Sequence, residues 1–223
     1  MNEYLTIQAA RIASLADFAA QCQQAADAHA HVLHIDHDRM LSDFGLLWML
    51  ARCSLRLTRL PIDGARLTTC LRVPASSYSM RDLVLEDAHG VCGRAAQLWV
   101  LADAKTRRLT PIRRLSLTLS TPQSERGEIP PRLAPSGPMT PAARWTVQPE
   151  EIDANGHLNN VHYIRHAQAL VRADATAMDI VFSHECFAGE TLTLQTGGDG
   201  FVRGVKETGE ESFCARFLEG VTL

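Results

Sequence analysis

The sequence predicts an α+β fold built from two like units in tandem. Three observations carry this. Each half opens on a short alternating segment, passes into one stretch of helical spacing, and continues in segments of strand length. The halves can be laid over one another, with Thr6-Ile7-Gln8 against Thr146-Val147-Gln148 and Gly64-Ala65-Arg66-Leu67 against Gly189-Glu190-Thr191-Leu192. Between them, residues 121–141 are rich in Pro, Ser and Gly and show no periodic apolar face, as expected of a linker. The expected units are therefore residues 1–120 and 142–223.

Residues 4–10 alternate and read as a strand. Ser14 opens a helix, with Asp17 three positions on as its capping-box partner. Leu15, Phe18, Cys22, Ala25 and His29 follow at helical spacing. The helix is rich in alanine and glutamine, which allows close packing on a sheet. Next come His29, His31, His34 and His37, with Asp36 and Asp38 interleaved. Their composition suits a metal, but no pair has a recognised ligand spacing. The expectation is a helix end whose imidazoles meet the C-terminal dipole and then solvent. Residues 48–60, 65–73, 79–86 and 91–102 read as strands, with Pro61-Ile62-Asp63-Gly64 and Asp87-Ala88-His89-Gly90 as turns.

In the second unit, residues 143–148 read as a strand. Asn159 or Asn160 caps a helix carrying Val161, Ile164, Ala167, Leu170 and Val171. Residues 177–187, 191–196, 201–206 and 212–218 follow as strands. Gly197-Gly198-Asp199-Gly200 is a turn rather than a dinucleotide fingerprint: Arg203 stands where the next glycine is needed, and no helix pattern follows.

Composition narrows the function. A net charge of −3 argues against a nucleic-acid binder. No apolar run is long enough to span a bilayer, and the N-terminus lacks the regions of a signal peptide. The six cysteines are scattered without a C-x-x-C pair, as free thiols of a reducing cytoplasm would be. A cytoplasmic protein without cofactor or metal is the expectation.

The densest polar chemistry lies in residues 153–163. Asp153, Asn155 and His157 alternate, so an extended segment would put them on one face. They supply a carboxylate, an amide N–H and a proton carrier that works near neutral pH. Gly156 lets the chain bend, and a helix N-terminus with free N–H groups follows at Asn159 and Asn160. Turn formers before a helix cap would look similar, so this stretch alone does not settle the chemistry.

The pattern D-x-N-x-H-x-N-N-x-x-Y after a short strand resembles the C-terminal half of the acyl-acyl-carrier-protein thioesterases, the plant-type chain terminators and their bacterial relatives. The N-terminal half resembles the same family through Gln24-Ala25-Ala26, His29-Ala30, Trp48, Arg52, Arg81-Asp82, Gly90, Trp99-Val100 and Thr106-Arg107-Arg108-Leu109. The resemblance implies a tandem double hotdog, two curled antiparallel sheets each wrapped around a long helix. It also implies hydrolysis of acyl thioesters on acyl carrier protein, which ends fatty-acid synthesis. Glu185, before Cys186, falls at the family's catalytic carboxylate; counting from the matched glycines, the first half has Leu60 there. The first unit would then hold the acyl chain, around Met40, Trp48 and Met49, and the second the catalytic set.

The expected mechanism has Glu185, or else Asp153, activating water. Asn155 and the helix start at Asn159 and Asn160 hold the oxyanion, and His157 is kept in its tautomer by Asp153. The rival is Cys186 as nucleophile with His157 and Asn155. Lys105, Arg107, Arg108, Arg113 and Arg114 form the densest basic run and are candidates for docking an acidic carrier; charge protecting a strand edge explains the run equally well. An acyl-coenzyme A thioesterase, a non-catalytic acyl-binding module and a hotdog dehydratase are the alternatives. A homodimer is left open, since a tandem chain already supplies the pairing a single unit needs.

Overall fold

The computed structural model describes residues 4–72, 75, 77–112, 115, 128–171 and 174–219. Its strands are β1 (Tyr4–Gln8), β2 (Leu46–Leu57), β3 (Arg66–Leu71), β4 (Ser79–Asp87), β5 (Gly90–Asp103), β6 (Leu109–Thr110), β7 (Thr140–Thr146), β8 (Ala177–Phe182), β9 (Thr191–Thr196), β10 (Phe201–Lys206) and β11 (Glu211–Phe217). Its helices are α1 (Leu15–Val32), α2 (His37–Phe44) and α3 (Asn160–Val171). The strands form one antiparallel sheet in the order β1-β3-β4-β5-β2-β8-β11-β10-β9-β7, with β6 beside β5. Read outward from the β2–β8 seam, the two wings have the same order of equivalent strands. This is the tandem hotdog, with both sheets joined into one.

The glycine correspondence fits the backbone. Gly64 and Gly189 both have positive φ, and Ala9 N–H bonds Ala65 O as Val147 N–H bonds Glu190 O. That brings Ala9, not Ile7, level with Val147. The overlay of Thr6-Ile7-Gln8 on Thr146-Val147-Gln148 is thus two residues out, a shift that keeps every side chain on its face.

The helix α1 begins as its residues dictate. Ser14 Oγ accepts from Asp17 N–H at 3.1 Å, and Asp17 Oδ2 accepts from Ala13 N–H at 3.0 Å. Leu15, Phe18, Cys22 and Ala25 turn inward, and the small residues let α1 lie against β1, β2, β3 and α3. One apolar core runs beneath both wings, from Leu55, Leu67 and Leu85 to Trp145, Ile180 and Phe213. Gly204 makes room in it: a Cβ there would come within 2.4 Å of the Phe213 ring.

The seam is tied on the outer face. Asp179 on β8 accepts from Ser54 Oγ and Arg56 Nη2 on β2, each at 2.6 Å. The later part of the expected linker crosses the same face: Arg52 donates to Pro130 O at 2.7 Å and Arg216 to Ala134 O at 2.9 Å.

Three expectations need correction. The helix α2 occupies part of the His/Asp cluster, capped by Asp36 and closed by Gly45. His29 does not meet solvent; it is fully buried. The strand expected over 177–187 ends at Phe182, because the N–H groups of Ser183 and His184 both turn to Ser212 O. Among the described residues, no group of three His, Cys, Asp or Glu is placed to hold a metal, and no helix is long and apolar enough to cross a membrane.

Candidate active site

Asp153, Asn155 and His157 stand in a tight turn, not an extended segment. Asp153 N–H bonds His157 O at 2.8 Å, Gly156 N–H bonds Asp153 O at 3.0 Å, and Gly156 takes a φ of +80°. Asp153 Oδ1 accepts from Asn155 N–H at 2.8 Å and from His157 N–H at 3.4 Å. The carboxylate therefore braces the turn and does not touch the imidazole, which corrects the expectation that it fixes the His157 tautomer. The turn still presents all three side chains to one cavity.

Two further bonds set the turn against the chain after β8. Leu158 N–H donates to Cys186 O at 2.8 Å, and Asn159 N–H donates to Glu151 O at 3.0 Å. Asn159 Oδ1 accepts from Val161 N–H at 3.0 Å, so α3 opens beside the turn with Asn159 at its cap. These contacts bring Glu185 to His157: Oε2 lies 3.5 Å from Nε2. Phe187 packs against the other side of the imidazole, edge-on, with centroids 5.3 Å apart.

A third group completes this pair. Arg107 Nη2 donates to Glu185 Oε2 and lies 3.4 Å from His157 Nε2. A guanidinium only donates and a carboxylate only accepts, so Nε2 has a partner in either protonation state. Arg107 comes from the first wing, 78 residues before Glu185. The strands explain its reach. The strands β2 and β5 run well past the end of β8, and the turn after β5 stands over the Asp153–His157 turn and Glu185 of the second wing. Asp103 organises that turn, accepting from Lys105 N–H, Thr106 N–H and Thr106 Oγ. Arg107 adopts φ +58°, a left-handed conformation costing on the order of 1 kcal/mol in a residue other than glycine.

Of the expected docking residues, Arg107 is thus committed to Glu185. Lys105 and Arg108 are exposed on the same turn, and Arg113 and Arg114 lie outside the described residues. Cys186 is fully buried and its thiol faces Ser212 Oγ at 3.0 Å, away from His157. The thiol–imidazole pair that a cysteine nucleophile requires is not formed.

The cavity has a volume of about 470 Å³, within the range of roughly 300–1,000 Å³ usual for small-molecule sites. Its walls come from both wings. The α1 helix, Trp48, Met49, Leu50 and Leu71 provide one side, and Leu158, Val161, Tyr163, Ile164 and Phe182 the other. Around Met40, the residues Ile35, Asp36, His37 and Asp38 line the cavity, while Met40 itself is fully buried in a separate apolar cluster on the inner side of α2.

Polar groups from the first wing also reach this cavity. Arg81 lines it and is only 3% exposed. Its Nη1 lies 2.9 Å from His29 Nδ1 and 2.9 Å from Thr69 Oγ1. Arginine can only donate, so His29 accepts at Nδ1 and is a neutral imidazole. Burial draws the Arg81 pKa down to about 10, opposed by the negative charge of Asp27. Asp27, also in the wall, has its pKa raised by desolvation against the pull of Arg81 and His31, with Asp153 adding to the rise. Asp27 is exposed at the wall of the cavity. The strand pattern held the signal for Arg81: it shares a face with Leu83 and Leu85, an unusual place for a charge.

Comparison with known proteins agrees with this architecture. A family model described as the acyl-ACP thioesterase N-terminal domain matches residues 3–115. The palmitoyl-acyl carrier protein thioesterase, chloroplastic, of Cuphea hookeriana is 25% identical over 231 residues, covering 86% of this chain and 52% of that protein. The chain thus spans about half the length of that curated relative. Among solved structures, an acyl-ACP thioesterase from Bacteroides thetaiotaomicron VPI-5482 has a TM-score of 0.79 at 18% identity, covering 96% of each chain. The 12:0-ACP thioesterase from Umbellularia californica has a TM-score of 0.71 at 19% identity, covering 96% of this chain and 95% of that one. At those identities the structural likeness speaks for the fold. The family match takes in half of the sequence and the wing that supplies Arg107 and the cavity wall: the chain belongs to the acyl-ACP thioesterase family.

Proposed function

We propose that the chain hydrolyses the thioester of a fatty acyl group on acyl carrier protein, releasing the free acid and the carrier thiol. The observation that carries this reading is the pairing of Glu185 with His157 at a cavity shared by both wings. Water attacks the thioester carbonyl carbon while Glu185 accepts its proton. Asn155 and the N–H of Asn160 at the start of α3, beside the capping Asn159, hold the oxyanion. As the tetrahedral intermediate collapses, the C–S bond breaks and the sulfur takes a proton from His157, which recovers one from Glu185. Asp153 holds the turn, and Arg107 holds the carboxylate in place for the attack. The first wing accommodates the acyl chain along α1, Trp48 and Met49.

Purified protein incubated with a ladder of acyl-carrier-protein thioesters should release free fatty acid. The same ladder on coenzyme A tests the second reading, which shares all of this chemistry and differs only in docking. Lys105 and Arg108 support the carrier, since a basic rim suits an acidic partner. Lys105→Glu with Arg108→Glu should raise KM for carrier-linked substrates and leave small soluble thioesters untouched. An equal effect on both would remove the docking role.

A further inference from the structure

We infer that Ser212, on β11, is a positioning residue that sets Glu185 against His157. This rests on the proposed thioesterase reading and adds to it the group that aims the base. Ser212 is only 1% exposed and is not among the described residues that line the cavity, so it acts through other groups. Its peptide oxygen takes the N–H groups of Ser183 at 2.8 Å and His184 at 3.1 Å, which ends β8 and bends the chain. Its side chain grips the same bend. Ser212 Oγ lies 2.7 Å from His184 O and 3.0 Å from Cys186 Sγ. A carbonyl only accepts, so the hydroxyl donates to His184 O and the thiol, a weak donor, points its proton at Oγ. Those two residues flank Glu185. Tyr163 Oη, on α3, stands 3.5 Å from the same Oγ. Cys186 O in turn accepts from Leu158 N–H at 2.8 Å, next to His157. One buried hydroxyl thus ties the chain that carries the carboxylate, and that chain ties the turn that carries the imidazole.

The first wing shows the same position without the hydroxyl. Phe213 pairs with Phe182 as Gly93 pairs with Leu57, so Cys92 is the counterpart of Ser212. Cys92 O accepts from Thr58 N–H at 3.0 Å, as Ser212 O accepts from Ser183 N–H. The Cys92 thiol, however, turns to Leu85 O at 3.6 Å, on β4. The chain after β2 is held instead by Arg59 on Asp87. Both positions are buried, and a thiol fills one as a hydroxyl fills the other, so burial alone does not call for a serine. The stronger donor stands in the wing whose loop carries the carboxylate.

The test is a double-mutant cycle on a carrier-linked thioester. Ser212→Ala should lower kcat about 10-fold or more and leave KM within about 2-fold, since a misplaced base costs rate rather than binding. In a Glu185→Gln background the same change should be silent to within about 2-fold, because the group it positions has gone. Thermal melts report the fold. Ser212→Cys, kept reduced by a phosphine, carries the comparison with the same expected loss if Ser212→Ala does not fold, as the equivalent site of the first wing already holds a thiol. An unchanged kcat in a folded variant overturns the inference. So does an equal loss in both backgrounds, the mark of a residue that serves only the fold. The His157 ring resonances, assigned with His157→Gln, keep the two readings apart. If no thioester is hydrolysed, the catalytic reading fails, yet loss of the Ser212 hydroxyl should still move those resonances toward their positions in the Glu185→Gln protein. Resonances that stay where the unaltered protein has them sink the positioning role.

Discussion

The two wings share one strand order but spend their charged residues differently. In the first wing, the chain leaving β2 carries Arg59, which grips Asp87 through two bonds of 2.5 and 2.6 Å and fixes the β4–β5 turn. That grip holds the Asp87 carboxyl far below its usual range. In the second wing, the equivalent chain carries His184 and Glu185. His184 Nδ1 is tied to Glu211 O at 2.8 Å, and Glu185 is left facing His157. Leu60, the counterpart of Glu185, is 50% exposed and bears no charge at all. The same loop can therefore carry either an ion pair within its own wing or a carboxylate that faces a histidine and an arginine. What differs is the neighbouring wing: β2 and β5 are longer than β8 and β11, and among the described residues they bring Arg107 across to Glu185 of the second wing.

The sharpest way to break this contrast is at the pair of Glu185 and His157. Glu185→Gln should lower kcat by about 10²–10⁴-fold, and Asn155→Ala by about 10²–10³-fold, with the fold intact by circular dichroism. A Glu185→Gln enzyme of near-normal rate would move the base elsewhere. Arg107→Met tests the contribution across the seam. Losing one charged hydrogen bond should reduce kcat/KM roughly 10-fold, mainly through kcat, and an unchanged kcat would leave Arg107 a docking residue after all. Cys186→Ala should retain turnover within about 2-fold, since an oxyanion donor or base is worth far more than that. Loss of turnover in that folded variant would restore the thiol as nucleophile.

The smallest effect concerns pH. Glu151 receives hydrogen bonds from Gln148 N–H, Trp145 and His166, which outweigh its burial and set its pKa below the ordinary 4.5. Burial, with Arg165 and His166 nearby, sets His162 below the ordinary 6.5 despite Glu151. Both shifts have one sign. Each group binds its proton more readily in the unfolded chain, so the stability it lends is present above the ordinary pKa and lost as pH falls through the folded one. The melting temperature should fall as pH drops below about 6.5, and fall further below about 4.5. Glu151→Gln should flatten the lower step; a profile flat from 7 to 4 would contradict both assignments.

Local signals were legible in the residues. Ser14 and Asp17 start α1, Asp87 to Gly90 make a hairpin turn, and Gly64 and Gly189 mark equivalent strand entries. The D-x-N-x-H stretch also revealed itself, although as a face of a strand rather than the turn it is. What the sequence hid depended on distance in space. Nothing around Arg107 tells that β5 overshoots β8, so a residue read as part of a basic rim turned out to hold the carboxylate. The helix α2 was missed for a different reason: its capping Asp36 and αL Gly45 lie among histidines whose spacing drew attention to metal binding. The end of β8 was equally hidden, because Ser212, which takes both N–H groups, lies far along the chain.

The backbone ladder between β2 and β8 has one more consequence. Severing the chain within residues 121–127 would give two fragments, each baring a row of unpaired amides and carbonyls along its inner strand. Neither fragment could be stored alone in quantity without sticking to its own kind, whereas made together they would have each other's edge to complete.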